Sequence, residues 1–319
     1  MNFDERKFIG YAVPSVNYRI KILYFNMDKI DIQQYRANKD FKMAETKTFE
    51  DFGKSDKILK KGLSVIRREL GEFQDIIYAH GKYSILVCLQ GMDTAGKDSL
   101  IREIFKDFNV SGVEVHSFKV PTELELSHNY LWRHYLVLPA KGKFGVFNRT
   151  HYENVLVTRV HPEYILNEHI PGIHEVEDID QNFWDKRFDQ INDFERHLAE
   201  NGTLIFKFFL NLSKEEQRQR LLRRLDLKKK HWKFSPADLK ERKLWQTYED
   251  CYEEAISKTT NDHAPWFVVP ADNKKATRII VASILLQSLK KYKDIKEPML
   301  SDEILANLGS YEQQLQGEK

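Results

Sequence analysis

The stretch that decides the fold reads Tyr-Ser-Ile-Leu-Val-Cys-Leu-Gln-Gly-Met-Asp-Thr-Ala-Gly-Lys-Asp, residues 83–98. Its first seven residues form an apolar run, which is typical of a strand buried on both faces of a parallel sheet. The spacing G-x-x-x-x-G-K follows from Gly91 to Lys97, and a helical pattern begins at Asp98. A strand, a glycine-rich loop and a helix in this order predict a Walker A phosphate-binding loop, whereas a plain glycine-rich turn with a surface lysine is the weaker alternative.

The chemistry of this loop depends on its backbone and on two charged side chains. Glycines let the backbone curl so that N–H groups point at phosphate oxygens, and the helix N-terminus adds about half a positive charge. Lys97 completes the phosphate cradle. Where the usual motif has a Ser or Thr that binds Mg²⁺, this sequence has Asp98, so the metal ligand must come from elsewhere. Asp93, inside the loop, is the candidate, either as a metal ligand or as a group that activates the attacking phosphate.

The rest of the chain alternates predicted strands with predicted helices. Four more strands are predicted, at Val113–Phe118, Phe144–Phe147, Leu204–Leu210 and Trp266–Val269. Helical patterns cover Lys54–Ala79, Asp98–Phe108, Gln181–Asn201, Ser213–Leu227 and Pro236 to about Lys258. This alternation predicts an α/β protein with a five-stranded parallel sheet that is flanked by helices. We expect an N-terminal extension at residues 1–50, with a short strand at Tyr18–Phe25, a P-loop domain at 51–295 and a C-terminal tail at 296–319.

A second polar motif follows the predicted strand at Phe144–Phe147. It reads Asn-Arg-Thr-His-Tyr-Glu, residues 148–153. Ligands gather at the carboxyl ends of strands in open α/β sheets, and Asn148 stands where a Walker B aspartate is expected. Arg149 can bind phosphate through a planar bidentate fork, and Glu153 is expected near the same rim. The alternative is a strand-to-helix connection whose polar residues only cap.

Residues 214–233 are strongly basic. They carry nine basic and three acidic residues, a local balance of +6, against +2 for the whole chain. Arg220, Arg223 and Arg224 lie at helical spacing on one face. A mobile helical lid that brings arginines over phosphates would show this pattern, but so would a solvated helix face.

Composition limits the classes of function. Hydrophobic residues make up 41% of the 319 residues, which is enough for a real core. The small net charge provides no global field for nucleic acid or a membrane, so a polyanion needs a local basic patch. Two cysteines, no signal-peptide pattern and no apolar stretch of membrane-spanning length predict a cytoplasmic protein.

These residues together resemble the type 2 polyphosphate kinase family over roughly Asp51–Leu289. The segments that carry the resemblance are residues 91–97, 117–133, 148–157, 183–188, 232–235 and 264–272. The resemblance implies a P-loop kinase fold like that of thymidylate kinases, with a helical lid at about residues 213–245. It implies Mg²⁺, or Mn²⁺, as cofactor, inorganic polyphosphate and adenine nucleotides as substrates, and a homo-oligomer, with a tetramer as the expected form.

The second motif also bears on the subgroup. ADP-specific members tend to carry Asp-Arg-Ser-Trp-Tyr-Asn, and the Asn148 and Glu153 of this chain resemble class III members, which accept both AMP and ADP. By motif position, Asp93 would lie between the nucleotide and polyphosphate phosphates. The expected site residues are Asp93, Lys97, Arg149 and Arg223 as catalytic; Gly91, Thr94, Ala95, Gly96, Asn148, Glu153 and Arg133 as nucleotide- or phosphate-binding; Arg220, Arg224, Lys230 and Lys233 as polyphosphate-binding lid residues; and Asp93, with Asn148 or Glu153, as metal ligands.

The expected function is transfer of phosphate from polyphosphate to AMP and ADP, giving ADP and ATP. Two alternatives remain: an ATP-dependent small-molecule kinase on the same core, and a non-catalytic nucleotide-binding switch. The basic lid favours the first function, because a long polyanion needs an extended cationic track. Asp93 disfavours a switch, because its charge would weaken nucleotide binding without serving chemistry.

Overall fold

Five parallel strands form a sheet in the computed structural model, which describes residues 30–318. The strands are β1 (Ser84–Gln90), β2 (Val113–Ser117), β3 (Phe144–Asn148), β4 (Thr203–Asn211) and β5 (Trp266–Pro270). Their order is β2-β3-β1-β4-β5, so the strand that precedes the phosphate loop is central. Residues 1–29, with the predicted strand at Tyr18–Phe25, and Lys319 lie outside the described residues.

Every residue of β1, β3, β4 and β5 is buried, whereas the edge strand β2 is only half-buried. Val87 in β1 pairs with Val146 of β3 on one side and with Phe206 of β4 on the other. The apolar runs therefore form strands covered on both faces, as parallel sheets require. The predicted fold class is confirmed.

Eleven α-helices are defined within the described residues. They are α1 (Asp56–His80), α2 (Lys97–Ile104), α3 (Glu123–Leu126), α4 (Trp132–Tyr135), α5 (Val157–Val160), α6 (Gln181–Glu200), α7 (Lys214–Asp226), α8 (Pro236–Lys243), α9 (Trp245–Thr259), α10 (Lys274–Leu289) and α11 (Asp302–Gly317). Helices α1, α2 and α10 cover one face of the sheet, in a core cluster with Phe208 of β4. Helices α6 and α9 cover the other face, where Phe188 and Tyr252 pack in a cluster with Phe209.

Two predicted helices differ from the observed ones. The helix predicted from Pro236 to Lys258 is wrong as a single element, because it breaks at Leu244, with φ −90° and ψ 18°. Helix α8 buries no residue, whereas α9 buries Trp245 and Tyr252, so the break lets α9 turn its apolar face to the sheet. The helix predicted over Asp98–Phe108 ends at Ile104 and continues as a 3₁₀ turn.

Residues 30–50 pack on the domain beside β5. Ile30, Ile32 and Tyr35 belong to the same core cluster as α1 and α10. The backbone N–H of Ala37 donates a hydrogen bond to the carbonyl oxygen of Trp266 at 2.9 Å. This part of the predicted extension therefore covers an edge of the sheet.

The carboxyl ends of the parallel strands meet along one edge of the sheet. Gln90, Asn148, Asn211 and Pro270 end β1, β3, β4 and β5 there. Such an edge is where open α/β sheets bind ligands. The phosphate loop and the second motif begin at adjacent strands on this edge.

Candidate active site

The phosphate loop curls around the ammonium group of Lys97. Gly91 and Gly96 have φ values of +149° and +108°, and a Cβ on Gly91 would lie 2.9 Å from the carbonyl oxygen of Leu210. Only glycine fits at position 91, because both the backbone conformation and the lack of space exclude a side chain. Lys97 Nζ donates a hydrogen bond to the Gly91 carbonyl at 2.6 Å. The predicted strand, loop and helix are therefore present, with the lysine inside the curl.

Arg149 connects the phosphate loop to the second motif. Its guanidinium lies 3.2 Å from Asp93 Oδ1 and 3.6 Å from Glu153 Oε2. Burial disfavours the charged form of Arg149. The nearby carboxylates of Glu153 and Asp93 have the larger effect, so the pKa of Arg149 is raised. Burial and the nearby Arg149 lower the pKa of Lys97, against the charges of Asp93 and Glu153. The four predicted charged residues therefore share one site.

The backbone of Arg149 is in the left-handed conformation, with φ +62°. This conformation costs a non-glycine residue about 1–2 kcal/mol. It persists only when the surroundings determine it, which is common at functional sites. Thr94 in the phosphate loop shows the same feature, with φ +67°, and its buried hydroxyl oxygen has no hydrogen-bond partner within the described residues. Phosphate binding by Thr94 stays a prediction.

Asp98 and Asn148 are hydrogen-bonded. Asn148 Nδ2 donates to Asp98 Oδ1 at 2.8 Å. An ionised carboxylate only accepts, so the amide nitrogen must face Asp98 and the amide oxygen of Asn148 is left for another partner. Asp98 therefore orients Asn148, whose amide oxygen is of the kind that hard cations bind.

The protein side chains alone do not form a full metal cage. Across residues 30–318, no group of three or more His, Cys, Asp or Glu side chains could hold a metal ion. Magnesium in phosphoryl-transfer sites uses one or two carboxylates together with phosphate oxygens and water. Asp93, with Asn148 or Glu153, fits that smaller ligand set.

Arg220 has a different place from the one that the sequence predicted. It is buried, with 5% of its surface exposed. Its guanidinium donates to the carbonyl oxygens of Thr94 and Ala95 at 3.0 and 2.9 Å, and to those of Ala271 and Asp272 at 2.6 and 3.0 Å. The prediction that Arg220 binds polyphosphate is therefore corrected, because its donors are already occupied. Arg220 fastens α7 to the phosphate loop.

The other cations of the predicted lid differ in their exposure and in their ion-pair partners. Arg223 is exposed and lies 3.2 Å from Glu216. Arg224 is half-buried and pairs with Asp238 of α8 at 3.0 Å. Lys230 is exposed in the 3₁₀ turn that follows α7, and the Lys233 side chain lies outside the part of the chain that the structure describes. Burial and the Asp93 carboxylate of the phosphate loop raise the pKa of Asp238.

Arg133, in α4, contacts the segment that follows β2. Its guanidinium donates to the carbonyl oxygen of Lys119 at 2.9 Å and lies 5.3 Å from the centre of the Phe118 ring. It also lies 3.5 Å from Glu125. These contacts hold the loop that follows β2, so phosphate binding by Arg133 stays a prediction.

Lys274 is a site residue that the sequence analysis missed. It begins α10, four residues after the last residue of β5, and a Cβ on Gly96 would lie 3.8 Å from Lys274 Cε. Partial desolvation and the charges of Arg220, Arg223 and Lys230 lower the pKa of Lys274 to about 8. A lysine here also opposes the helix dipole. Its position at the carboxyl end of a predicted strand was the signal that could have revealed it.

The fold and the site together define a P-loop phosphotransferase. The sequence profile described as Polyphosphate kinase 2 matches residues 54–297. The chain therefore belongs to the polyphosphate kinase 2 family, and it is an enzyme of the polyphosphate kinase type.

Individual proteins of known name that are similar to this chain support the same family. The chain is 44% identical over 266 residues to the AMP/ADP-polyphosphate phosphotransferase of Meiothermus ruber, covering 81% of this chain and 93% of that protein. It is 45% identical over 224 residues to the ADP-polyphosphate phosphotransferase of Rhodopseudomonas palustris, covering 70% of this chain and 76% of that protein. The crystal structure of Polyphosphate Kinase 2 from Arthrobacter aurescens TC1 superimposes with a TM-score of 0.79 at 35% identity, covering 88% and 96% of the two chains. Within residues 30–318, no helix has the length and apolar character needed to cross a membrane.

Proposed function

We propose that the protein transfers phosphate from inorganic polyphosphate to both AMP and ADP, giving ADP and ATP. One observation carries the polyphosphate part of this proposal: Lys274 adjoins Gly96 of the phosphate loop, and the charges of Arg223 and Lys230 act on Lys274. A cationic surface that continues from a phosphate loop suits a long polyanion better than a single nucleotide. The second motif and the similarity to the Meiothermus ruber protein support the use of both AMP and ADP.

Phosphoryl transfer needs positioning of the phosphates and neutralisation of their charge, and different residues of the site serve each need. The loop N–H groups and Lys97 hold phosphate, and Arg149 holds a second phosphate between the loop and Glu153. Mg²⁺, with Mn²⁺ as a substitute, would neutralise phosphate charge, with Asp93 and Asn148 or Glu153 as its protein ligands. Arg223 and Arg224 would hold polyphosphate, once Arg224 exchanges Asp238 for phosphate.

One assay separates this function from its alternatives. The protein is incubated with Mg²⁺, polyphosphate and AMP, without ATP, and the nucleotides are separated by chromatography. ADP followed by ATP is the expected result. Phosphorylation that requires added ATP would identify an ATP-dependent kinase, and nucleotide binding without turnover would identify a switch.

Other properties belong to the same proposal. We infer a P-loop kinase domain at residues 51–295, with the lid at about 213–245 and a tail at 296–319. We infer a cytoplasmic homo-oligomer, with a tetramer as the expected form. The two cysteines, Cys88 and Cys251, are unpaired and buried, which suits a reducing compartment. Light scattering coupled to size-exclusion chromatography measures the oligomeric state.

Glu153→Asn is expected to lower kcat/KM for AMP about tenfold more than for ADP. Two nucleotides of different length must place their terminal phosphates at one transfer point, so AMP needs an extra bridge. Glu153 lies beside Arg149, where it can arrange that bridge. Initial rates with each nucleotide measure the ratio, and Glu177→Asn, at an exposed position, is the control. Equal losses with both nucleotides would make Glu153 a general catalytic or structural group.

Arg223→Ala combined with Arg224→Ala is expected to raise the KM for polyphosphate about tenfold and to change the KM for AMP little. Polyanion binding releases counterions, so each lost phosphate contact should flatten the log KM against log salt slope by about one unit. Both KM values are measured at three ionic strengths. Arg218→Ala is the control, because Arg218 lies on the same helix and pairs with Glu215 at 2.6 Å. An unchanged polyphosphate KM and slope would show that these arginines do not bind polyphosphate.

The KM for polyphosphate is expected to rise as pH increases from 7 to 9. Lys274 is a cation below its pKa of about 8 and loses its charge above it, so its contribution to polyanion binding is lost in that interval. Lys274→Met should raise the KM about threefold at pH 7 and remove this part of the pH dependence. Lys275→Met is the control, because Lys275 pairs with Asp56 instead. Identical pH profiles for Lys274→Met and wild type would exclude Lys274 from the polyphosphate site.

A further inference from the structure

A buried ion pair lies beneath the second motif. Glu195 of α6 and Lys207 of β4 have no exposed surface, and Lys207 Nζ lies 2.5 Å from Glu195 Oε2. Lys207 is a charged residue in a strand whose every residue is buried. A buried ion pair gives a fold little net stability, because apolar side chains of similar volume are often as stable or more so. Stability alone therefore does not account for this pair.

The hydrogen bonds of the pair lead to the second motif. Lys207 Nζ also donates to Tyr152 Oη at 2.8 Å and to the Thr259 carbonyl oxygen at 2.7 Å, so all three of its N–H groups have partners. Glu195 Oε1 accepts from Tyr152 Oη at 2.9 Å and from His151 Nε2 at 3.1 Å. A carboxylate requires His151 Nε2 to carry the proton. The side chains of His151 and Tyr152, two consecutive residues of the second motif, are thus held by the buried pair.

His151 and Tyr152 lie between the two motif residues that reach the site. Arg149, on one side, has the left-handed backbone conformation, and Glu153, on the other, pairs with it at 3.6 Å. Thr150 strengthens the same turn, because its hydroxyl oxygen accepts from Gln90 Nε2 at 3.0 Å and from the Tyr152 N–H at 3.1 Å. The turn is therefore fixed at two anchors, one on β1 and one on the buried pair.

We propose that Glu195 and Lys207 are positioning residues for phosphoryl transfer, which hold the second motif so that Arg149 and Glu153 face the phosphate loop. The buried pair acts through His151 and Tyr152 and does not touch substrate. Its removal should displace Arg149 and Glu153 relative to the loop, and a displacement of about 1 Å at a catalytic group can cost about 10²-fold in rate. The effect should appear in kcat, because nucleotide binding retains its other contacts.

The test replaces the pair by apolar side chains of similar size, in Glu195→Leu combined with Lys207→Met. This variant leaves no unpaired buried charge, but the Tyr152 hydroxyl, the His151 Nε2–H and the Thr259 carbonyl each lose a partner, so it is expected to fold with a lowered thermal midpoint. We expect its kcat to fall ~30-fold, with less than a threefold change in the KM for AMP. Tyr152→Phe removes only the anchoring hydroxyl and should lower kcat about fivefold.

Ile284→Ala is the matched control for lost stability. Ile284 is fully buried on α10, in the core cluster on the other face of the sheet from the one that α6 covers. A kcat within twofold of wild type for the folded double variant would overturn the proposal, as would equal kcat losses for the double variant and Ile284→Ala. If the double variant does not fold, an unchanged kcat for Tyr152→Phe would overturn it. The proposal rests on the proposed function for its assay, and an inactive wild-type protein would reject that function without bearing on the variants.

Discussion

Lys97→Ala is expected to lower kcat about 10³-fold, which corresponds to ~4 kcal/mol of barrier, and to leave the fold intact. The Lys97 ammonium lies inside the curl of the phosphate loop, 2.6 Å from the Gly91 carbonyl oxygen, where a phosphate oxygen would take over that contact. Burial and Arg149 lower the pKa of this lysine, and the negative charge of a bound phosphate would favour its charged form. Steady-state kinetics and the thermal midpoint are measured together.

Lys106→Ala is the matched control, because Lys106 is an exposed lysine in the 3₁₀ turn that follows the same helix. Its kcat should equal that of wild type. Retention of half the normal kcat in Lys97→Ala would remove this lysine from the mechanism. A lowered thermal midpoint that accompanies the loss would instead indicate a structural role.

Asp93→Asn is expected to lower kcat by a similar factor, about 10³-fold. The substitution keeps the shape of the side chain and removes its charge, which balances Arg149 at 3.2 Å and would hold the metal. Without that charge, the metal ion and Arg149 would both lose the carboxylate that holds them beside the phosphates. Activity is measured over a range of Mg²⁺ concentrations.

Asp98→Gly is the informative comparison for Asp93→Asn. Asp98 orients the amide of Asn148 and stands at the start of α2, where a carboxylate adds about 0.5 kcal/mol of helix stability. We therefore expect Asp98→Gly to reduce activity less than Asp93→Asn does. An equally complete loss of Mg²⁺-dependent activity would show that the assignment of the metal site is wrong.

The sheet could be predicted from the sequence because four of its strands are mostly apolar runs between polar loop residues. Such runs are typical of strands covered on both faces of a parallel sheet, whereas β2, at the edge of the sheet, is only half-buried. The break at Leu244 could not be predicted in this way, since no Gly or Pro marks it. It results from the different environments of α8, on the surface, and α9, against the sheet.

Site residues were predictable where a local motif places them. The phosphate loop and the second motif are each contiguous, and the structure brings Asp93, Lys97, Arg149 and Glu153 together. Arg220 was misassigned because helical spacing shows which side chains share a face and not what that face contacts. Glu195 and Lys207 were missed for a related reason, although a single lysine inside the apolar strand β4 was a signal for a buried partner.

The hydrogen bonds from Arg220 to the phosphate loop limit which part of the predicted lid could move. Gln217 donates to the Asp93 carbonyl oxygen at 3.0 Å, so the first two turns of α7 are attached to the loop at two points. Beyond Asp226 the helix ends and Leu227 is extended, with φ −100° and ψ 100°. Arg242 of α8 donates to the Lys214 carbonyl oxygen at 2.7 Å and to Gln217 Oε1 at 2.8 Å, so a movement of α8 about Leu227 would have to break these contacts as well as the Arg224–Asp238 pair. Arg223 and Arg224, on the attached helix, would then keep their positions relative to the phosphate loop, and a bound polyanion would keep its register while α8 moves.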